Sequence, residues 1–160
     1  VQTETAEQIR DEAFSGDLRY LMAVSHLVLA NNQVTNRFIE QTYDMPVHAW
    51  SALYAVVHFP GVRAKEIRTL FPRPQNSISR AVSLLHRRGL LRQETMQDDN
   101  RARHLYPTDE GVALLSEIEE RIGARQQEMF APLTEDEKAE FLRLCRKVIA
   151  SGKHETSEVL

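Results

Sequence analysis

The chain contains a single cysteine, Cys145, which rules out an internal disulfide framework and any zinc site built from several cysteines. No apolar run approaches the roughly 18–20 residues needed to cross a bilayer. The opening stretch VQTETAEQIRDEAF is acidic and lacks the apolar core of a secretion signal, so a cytoplasmic protein is expected. The six histidines form no His-x-x-x-His pair. Neither a glycine-rich phosphate loop nor a nucleophile elbow is present, and the carboxylates are spread over helix surfaces. Catalysis is therefore not expected, and neither a metal nor any other cofactor is called for. Repeats, low-complexity blocks and Gly/Ser linkers are also missing.

What is present is a 160-residue chain of ordinary globular composition, 42% hydrophobic and 27% charged. That length is most simply one domain with a real core. Helical periodicity dominates, so the fold class is mostly α (α+β). Net charge is −3, but it is unevenly placed. From Gly61 to Tyr106 ten Lys/Arg face four acids, a local +6 that leaves −9 for the rest. Local charge sets the field a polyanion feels, so the middle of the chain suits nucleic acid although the whole is acidic. An Arg-rich solvated surface would show the same split.

The basic segment also has a recognisable order. Ile67, Leu70 and Phe71 space out as one face of a short helix, and Pro72 and Pro74 break it. A proline just inside a helix start is favourable, because its missing N–H had no partner there. Ile78, Val82 and Leu85 then recur at helical spacing, leaving Gln75, Asn76, Ser77, Ser79 and Arg80 largely outward. Gly89 ends that helix. Two extended runs follow, parted by the polar turn Gln97–Asn100. Helix, turn, helix and β-hairpin make a winged helix-turn-helix with a two-stranded wing.

Residues 1–13 read as polar and frayed. A helix of roughly 25 residues without Pro or Gly is predicted from about Asp17, with Leu18, Leu21, Met22, Leu27 or Val28, and Leu29 along one stripe. After the Tyr43–Pro46 turn, a helix from Val47 to His58 is expected to turn Trp50, Leu53, Tyr54 and Val57 inward, and Phe59-Pro60-Gly61 stops it. Thr108 is a predicted N-cap with Asp109 and Glu110 in the first turn. Val112, Leu115, Ile118 and Ile122 follow at helical spacing up to about Pro132. Thr134 and Glu137 form a capping box for a last helix carrying Phe141, Leu144, Cys145 and Val148 on one side. Long amphipathic end helices outside a small central module predict a two-fold homodimer. A monomer folding its own ends back is the alternative. Boundaries are expected at 1–45 (dimerisation), 46–108 (DNA-binding lobe) and 109–160 (dimerisation), in one intertwined domain.

Together these segments resemble the MarR family of transcriptional regulators, over roughly Leu18 to Ala150. Asp99-Asn100-Arg101 followed by Pro107-Thr108-Asp109-Glu110-Gly111 is similar to the family's Asp-x-Arg and Leu-Thr-x-x-Gly. Asn76–Arg80 resembles its Ser-Thr-Val-Thr-Arg, and Leu85–Leu91 its Leu-x-x-x-Gly-Leu-Val. Met45–Trp50 resembles its Leu-Thr-x-x-Gln-Trp. Departures are Pro107 for leucine, Pro72 for a turn glycine, Pro74 for a small or polar residue, Asn100 where many members carry arginine, and Gln93 for arginine.

The resemblance implies a DNA-binding regulator, a homodimeric repressor of a pseudo-palindromic operator on double-stranded DNA. Its reading residues would be Arg73, Gln75, Asn76, Ser77, Ser79 and Arg80 in the major groove, and Asn100, Arg101 and Arg103 from the wing. Capping of the helix start is the other reading of Asn76 and Ser77, and a surface ion pair that of Arg80. Asp99 would brace the hairpin through Arg101. Arg87, Arg88 and Arg92 would touch phosphates or only water. The family also implies release by a small aromatic carboxylate or phenol in a crevice near Trp50, with His48, His26 and Arg19 as polar partners. Core packing of Trp50 and solvated histidines are the plainer alternatives. Some relatives sense peroxide through a cysteine near the first long helix, and this chain has none there. Cys145 is expected to be a small buried hydrophobe. A winged helix serving protein docking, or an activator without a small ligand, are the competing functions.

Overall fold

A computed structural model of the protein describes residues 2–96 and 99–156, with side chains described for 5–95 and 103–156. Residues 1–118 and 119–160 form two compact units, with the boundary inside one long helix. Among the described residues no helix is long and apolar enough to cross a membrane.

The first unit opens with α1 (Gln2–Ser15), where the sequence suggested a frayed end. The stretch is rich in Gln, Glu, Ala and Arg, good helix formers that need no apolar stripe to adopt the conformation. Gly16 and Asp17 turn the chain into α2 (Arg19–Asn31), which runs through a π-helical segment (Asn32–Asn36) into α3 (Arg37–Tyr43). The expected long helix is thus present, with a widened turn that no periodicity announces. None of the α2 residues is buried: Leu21 is 68% exposed and Leu29 62%. Asp44 ends the helix in the left-handed conformation (φ 49°).

Helix α4 (Val47–His58) has the expected bounds but a shifted inner face. Ala49, Ala52, Leu53, Ala55 and Val56 are buried, whereas Trp50, Tyr54 and Val57 are only half-buried. Three alanines make that face shallow, and α4 packs there against α6 (Gln75–Arg87), whose Ile78, Ala81, Val82 and Leu85 are buried. Buried Ser51 returns its hydroxyl to the Val47 carbonyl (2.8 Å), so it leaves no unpaired donor. Between them lie β1 (Val62–Arg63) and α5 (Ala64–Leu70), with Ile67 fully buried.

The wing strands are β2 (Leu91–Met96) and β3 (Asp99–Pro107), paired antiparallel. The sheet has a third strand the sequence did not reveal: β1 pairs with β3 through Val62↔Leu105 and Arg63↔His104, giving the order β1-β3-β2. A further bond from the Gly61 amide to the Leu105 carbonyl (2.7 Å) pins the wing's root to the end of α4. Asp99 and Asn100 belong to β3, which shortens the expected four-residue turn; Gln97 and Asp98 lie outside the described residues.

Helix α7 (Asp109–Phe130) starts as expected. Thr108 Oγ1 accepts from the Gly111 amide (3.1 Å) and donates to the Gly89 carbonyl (2.6 Å). Leu115 and Ile118 are buried, but Val112 is exposed. In the second unit, α8 (Glu135–Ala150) has the predicted capping box, with the Glu137 amide reaching Thr134 Oγ1 at 3.3 Å and the Thr134 amide reaching Glu137 Oε2 at 2.8 Å. Its apolar side is not covered: Phe141, Leu144 and Val148 are exposed and Cys145 is half-buried.

Candidate nucleic-acid interface

Two proline-fixed residues define how α6 is presented. Pro72 and Pro74 flank Arg73, and Pro74 is the N-cap itself (φ −54°, ψ 141°) rather than the first helical residue. Its extended ψ throws the chain sharply into the helix, and its carbonyl accepts from the Ser77 (3.0 Å) and Ile78 (3.3 Å) amides. The amides of Gln75 and Asn76 precede those partners at the positive end of the helix dipole, where a phosphate is favoured. No side chain caps this end, so Asn76 and Ser77 do not act as N-caps.

With Ile78, Ala81, Val82 and Leu85 turned inward, Gln75, Asn76, Ser79 and Arg80 stand exposed on the opposite face, and Ser77 is half-buried at its edge. The Ser79 hydroxyl donates to the Gln75 carbonyl (3.0 Å), leaving its oxygen able to accept from a base edge. Arg73 differs from its neighbours. It is half-buried, and its Nε is buried without a hydrogen-bond partner.

On the wing, exposed Arg103 donates from Nη1 to Gln93 Oε1 (3.2 Å) on the neighbouring strand. That cross-strand contact aims the guanidinium along the hairpin's face. Arg92 lies over the Tyr106 ring (4.8 Å) and pairs with Glu94, so it is held by the sheet. The side chains of Asp99, Asn100 and Arg101, all expected to matter at the wing tip, lie outside the described residues. Near the wing's root His104 Nδ1 is 2.9 Å from the Gly61 carbonyl, which fixes that nitrogen as the protonated one.

On α4 and at the end of α5, three rings meet edge-on: Trp50 to Tyr54 at 6.5 Å, Trp50 to Phe71 at 6.4 Å and Tyr54 to Phe71 at 5.9 Å. Such T-shaped contacts are attractive beyond their area burial. Trp50 Nε1 donates to Asn36 Oδ1 (3.3 Å), and Asn36 donates onward to Asn32 Oδ1 (2.9 Å), both in the π-helical segment. π-Helical turns often accompany functional sites. Trp50 and Tyr54 stand four residues apart on α4, a spacing visible in the sequence, whereas nothing there points to Asn36 or to a meeting with Phe71. His48 is half-buried on the same helix. Arg19 and His26 find their partners elsewhere, Arg19 over the Tyr20 ring (4.8 Å) and on the Gly16 carbonyl (3.1 Å), His26 edge-on to Phe14 (5.8 Å).

Burial, then the charges of Arg73 and Arg80, hold the His48 imidazole below its ordinary value. The sign of the linkage follows. The unfolded chain, with a histidine near 6.5, binds the proton more readily than the folded one. His48 therefore costs nothing above about pH 6.5, and stability falls as the pH drops toward its lowered folded pKa. His48→Gln should weaken that acid loss, read as denaturant midpoints at pH 7.5 and 5.5. Equal losses in both proteins would show that His48 is not so placed.

Residues 43–102 match the model of the MarR family. The fold matches solved structures over most of the chain. The transcriptional regulator BldR from Sulfolobus solfataricus aligns with TM-score 0.75 at 20% identity, over 84% of this chain and 94% of that one. A MarR protein from Peptoclostridium difficile gives 0.77 at 20%, over 88% and 91%. The PcaV regulator from Streptomyces coelicolor, solved with its natural ligand, gives 0.66 at 28%, over 80% and 92%.

Proposed function

We propose that this chain is a winged-helix transcriptional regulator of the MarR family, and within it a cytoplasmic homodimeric repressor. It would bind a pseudo-palindromic operator on double-stranded DNA and leave it when a small aromatic carboxylate or phenol binds. The observation that carries the reading is the two-sided α6. Its inner face is fully committed to the lobe, and its outer face presents Gln75, Asn76, Ser79 and Arg80 to solvent, while the wing separately carries exposed Arg103. Amide, hydroxyl and guanidinium groups are the donors and acceptors that read base edges in a major groove.

The proposed division of labour is residues 46–108 for DNA, with 1–45 and 109–160 joining two copies. Uncovered apolar residues on α2 and on α8 support it, since a monomer gains nothing from keeping them in water. For the effector, the support is the ring cluster with His48 and the buried, unpartnered Arg73 Nε. PcaV, which has a natural ligand, is among the similar structures.

Duplexes enriched from a random pool by the wild-type chain supply the test. Arg80→Ala should weaken the enriched duplex by about 1–3 kcal/mol and relax base preference at one position in each half-site. Arg103→Ala should weaken all duplexes alike and flatten the salt dependence of log affinity by about one per arginine removed. Unchanged affinity in both variants would refute the assigned reading surface. Trp50, the chain's one tryptophan, reports on the effector: aromatic acids should change its fluorescence and release the duplex together.

A further inference from the structure

Arg88 was a candidate for phosphate or water, and the structure gives it a different place. It is the C-cap of α6 (φ −83°, ψ 0°), one residue before Gly89 reverses the chain. Its guanidinium turns away from the reading face. Nη1 donates to the Asp44 carbonyl at 3.0 Å and Nη2 to the Tyr43 carbonyl at 3.1 Å. Those two oxygens end α3, where a helix leaves its last carbonyls unpaired and its dipole is negative. The planar fork of arginine suits two adjacent acceptors in a way a lysine ammonium does not. At the same turn the Tyr43 hydroxyl donates to Glu117 Oε1 of α7 (3.0 Å). The end of the long α2–α3 helix is therefore tied to the end of α6 on one side and to α7 on the other.

We propose that Arg88 is a positioning residue for operator recognition, setting where α6 sits relative to the long helix that joins two copies. The inference rests on the dimeric DNA-binding reading. In a two-fold dimer the separation of the two α6 helices must match half-sites about one helical turn apart. Any looseness between α6 and the joining helix is doubled by the symmetry. The contact is exposed, so its direct contribution to stability is small. Its effect lies in geometry, because it holds two ends that are 44 residues apart in sequence.

The experiment compares wild type, Arg88→Met and Arg88→Lys on the duplex the wild type enriches. The same duplex with one base pair added or removed between half-sites is the second probe. Arg88→Met, which keeps the aliphatic stem, should remain dimeric by sedimentation and melt close to wild type. It should bind the enriched duplex about tenfold more weakly, because α6 is no longer held in one position relative to the joining helix. Its penalty for altered spacing should shrink, and its salt slope should stay the same. Arg88→Lys should recover part of the spacing discrimination. A salt slope flattened by about two in the Arg88→Met dimer would overturn the proposal in favour of phosphate contacts. An unaltered spacing penalty would overturn it as well. Failure of the underlying reading looks different: the wild-type chain would enrich no two-half-site duplex at all.

Discussion

Gly111→Ala should destabilise the protein by about 3 kcal/mol or more, although alanine is ordinarily the better helix residue by nearly 1 kcal/mol. The sign is reversed by one contact. A Cβ on Gly111 would stand 2.0 Å from the Leu90 carbonyl oxygen and 3.0 Å from its carbon. Both are backbone atoms, and the same oxygen accepts from the Thr108 amide (3.2 Å) while the Leu90 amide donates to Leu85 (2.9 Å). Relief therefore requires moving the start of α7 away from the corner where α6 becomes β2. That corner also holds the bond from Thr108 to Gly89. Gly123 in the same helix is the internal control, since a Cβ there meets nothing within 4 Å. Gly123→Ala should stabilise by about 0.4–1 kcal/mol, chiefly by restricting the unfolded chain. Denaturant melts of the two variants should move in opposite directions. Shifts of the same sign would mean that α7 does not start against Leu90. With total stabilities of about 5–15 kcal/mol, the Gly111 variant should also lose DNA binding at temperatures the wild type tolerates.

Gly111 shows which parts of the fold were legible beforehand. The helix start before it is marked by Thr108 with Asp109 and Glu110 in the first turn, and that mark is local: a hydroxyl three residues from the amide it accepts. The capping box at Thr134 and the positive-φ Gly89 are local in the same sense. Misreadings came from weak or ambiguous local signals. In α4 the apolar spacing predicts Trp50, Leu53, Tyr54 and Val57 as the inner face; of these only Leu53 is buried, and the small Ala49, Ala52 and Ala55 make the close approach to α6. Helix α1 has too little apolar patterning to read as an amphipathic helix, and two residues of β1 make no period at all. The outward face of α6 was legible, because Ile78, Val82 and Leu85 fix it by exclusion. Pairings across the chain were not: Trp50 with Asn36, Arg88 with Tyr43 and Asp44, and the ring of Phe71 depend on which elements meet, and a single sequence does not encode that locally.

On the proposed dimeric reading, replacing Leu21 or Val148 by aspartate should leave a monomer at micromolar concentration. Leu21 is 68% exposed on α2 and Val148 60% exposed on α8, each among other uncovered apolar side chains. Substituting an exposed residue of a monomer usually shifts stability by no more than about 0.5 kcal/mol. In a two-fold interface each substitution counts twice, and burying an unpaired carboxylate costs several kcal/mol at each copy. The effect on DNA should be larger than that of any single contact. Two joined lobes bind their second half-site at an effective concentration that raises overall affinity by about 10²–10⁴-fold. Loss of joining should therefore reduce operator affinity by at least about a hundredfold and leave weak, salt-sensitive binding to any duplex. Sedimentation and duplex titration measure both parts. Arg80→Ala, which touches only the reading face, should stay dimeric and separate lost contacts from lost pairing. If Leu21→Asp and Val148→Asp both remain dimeric with full operator affinity, the uncovered stripes are not what joins two copies. If only one dissociates, the interface belongs to that helix, and the other stripe is a surface whose partner is still to be found.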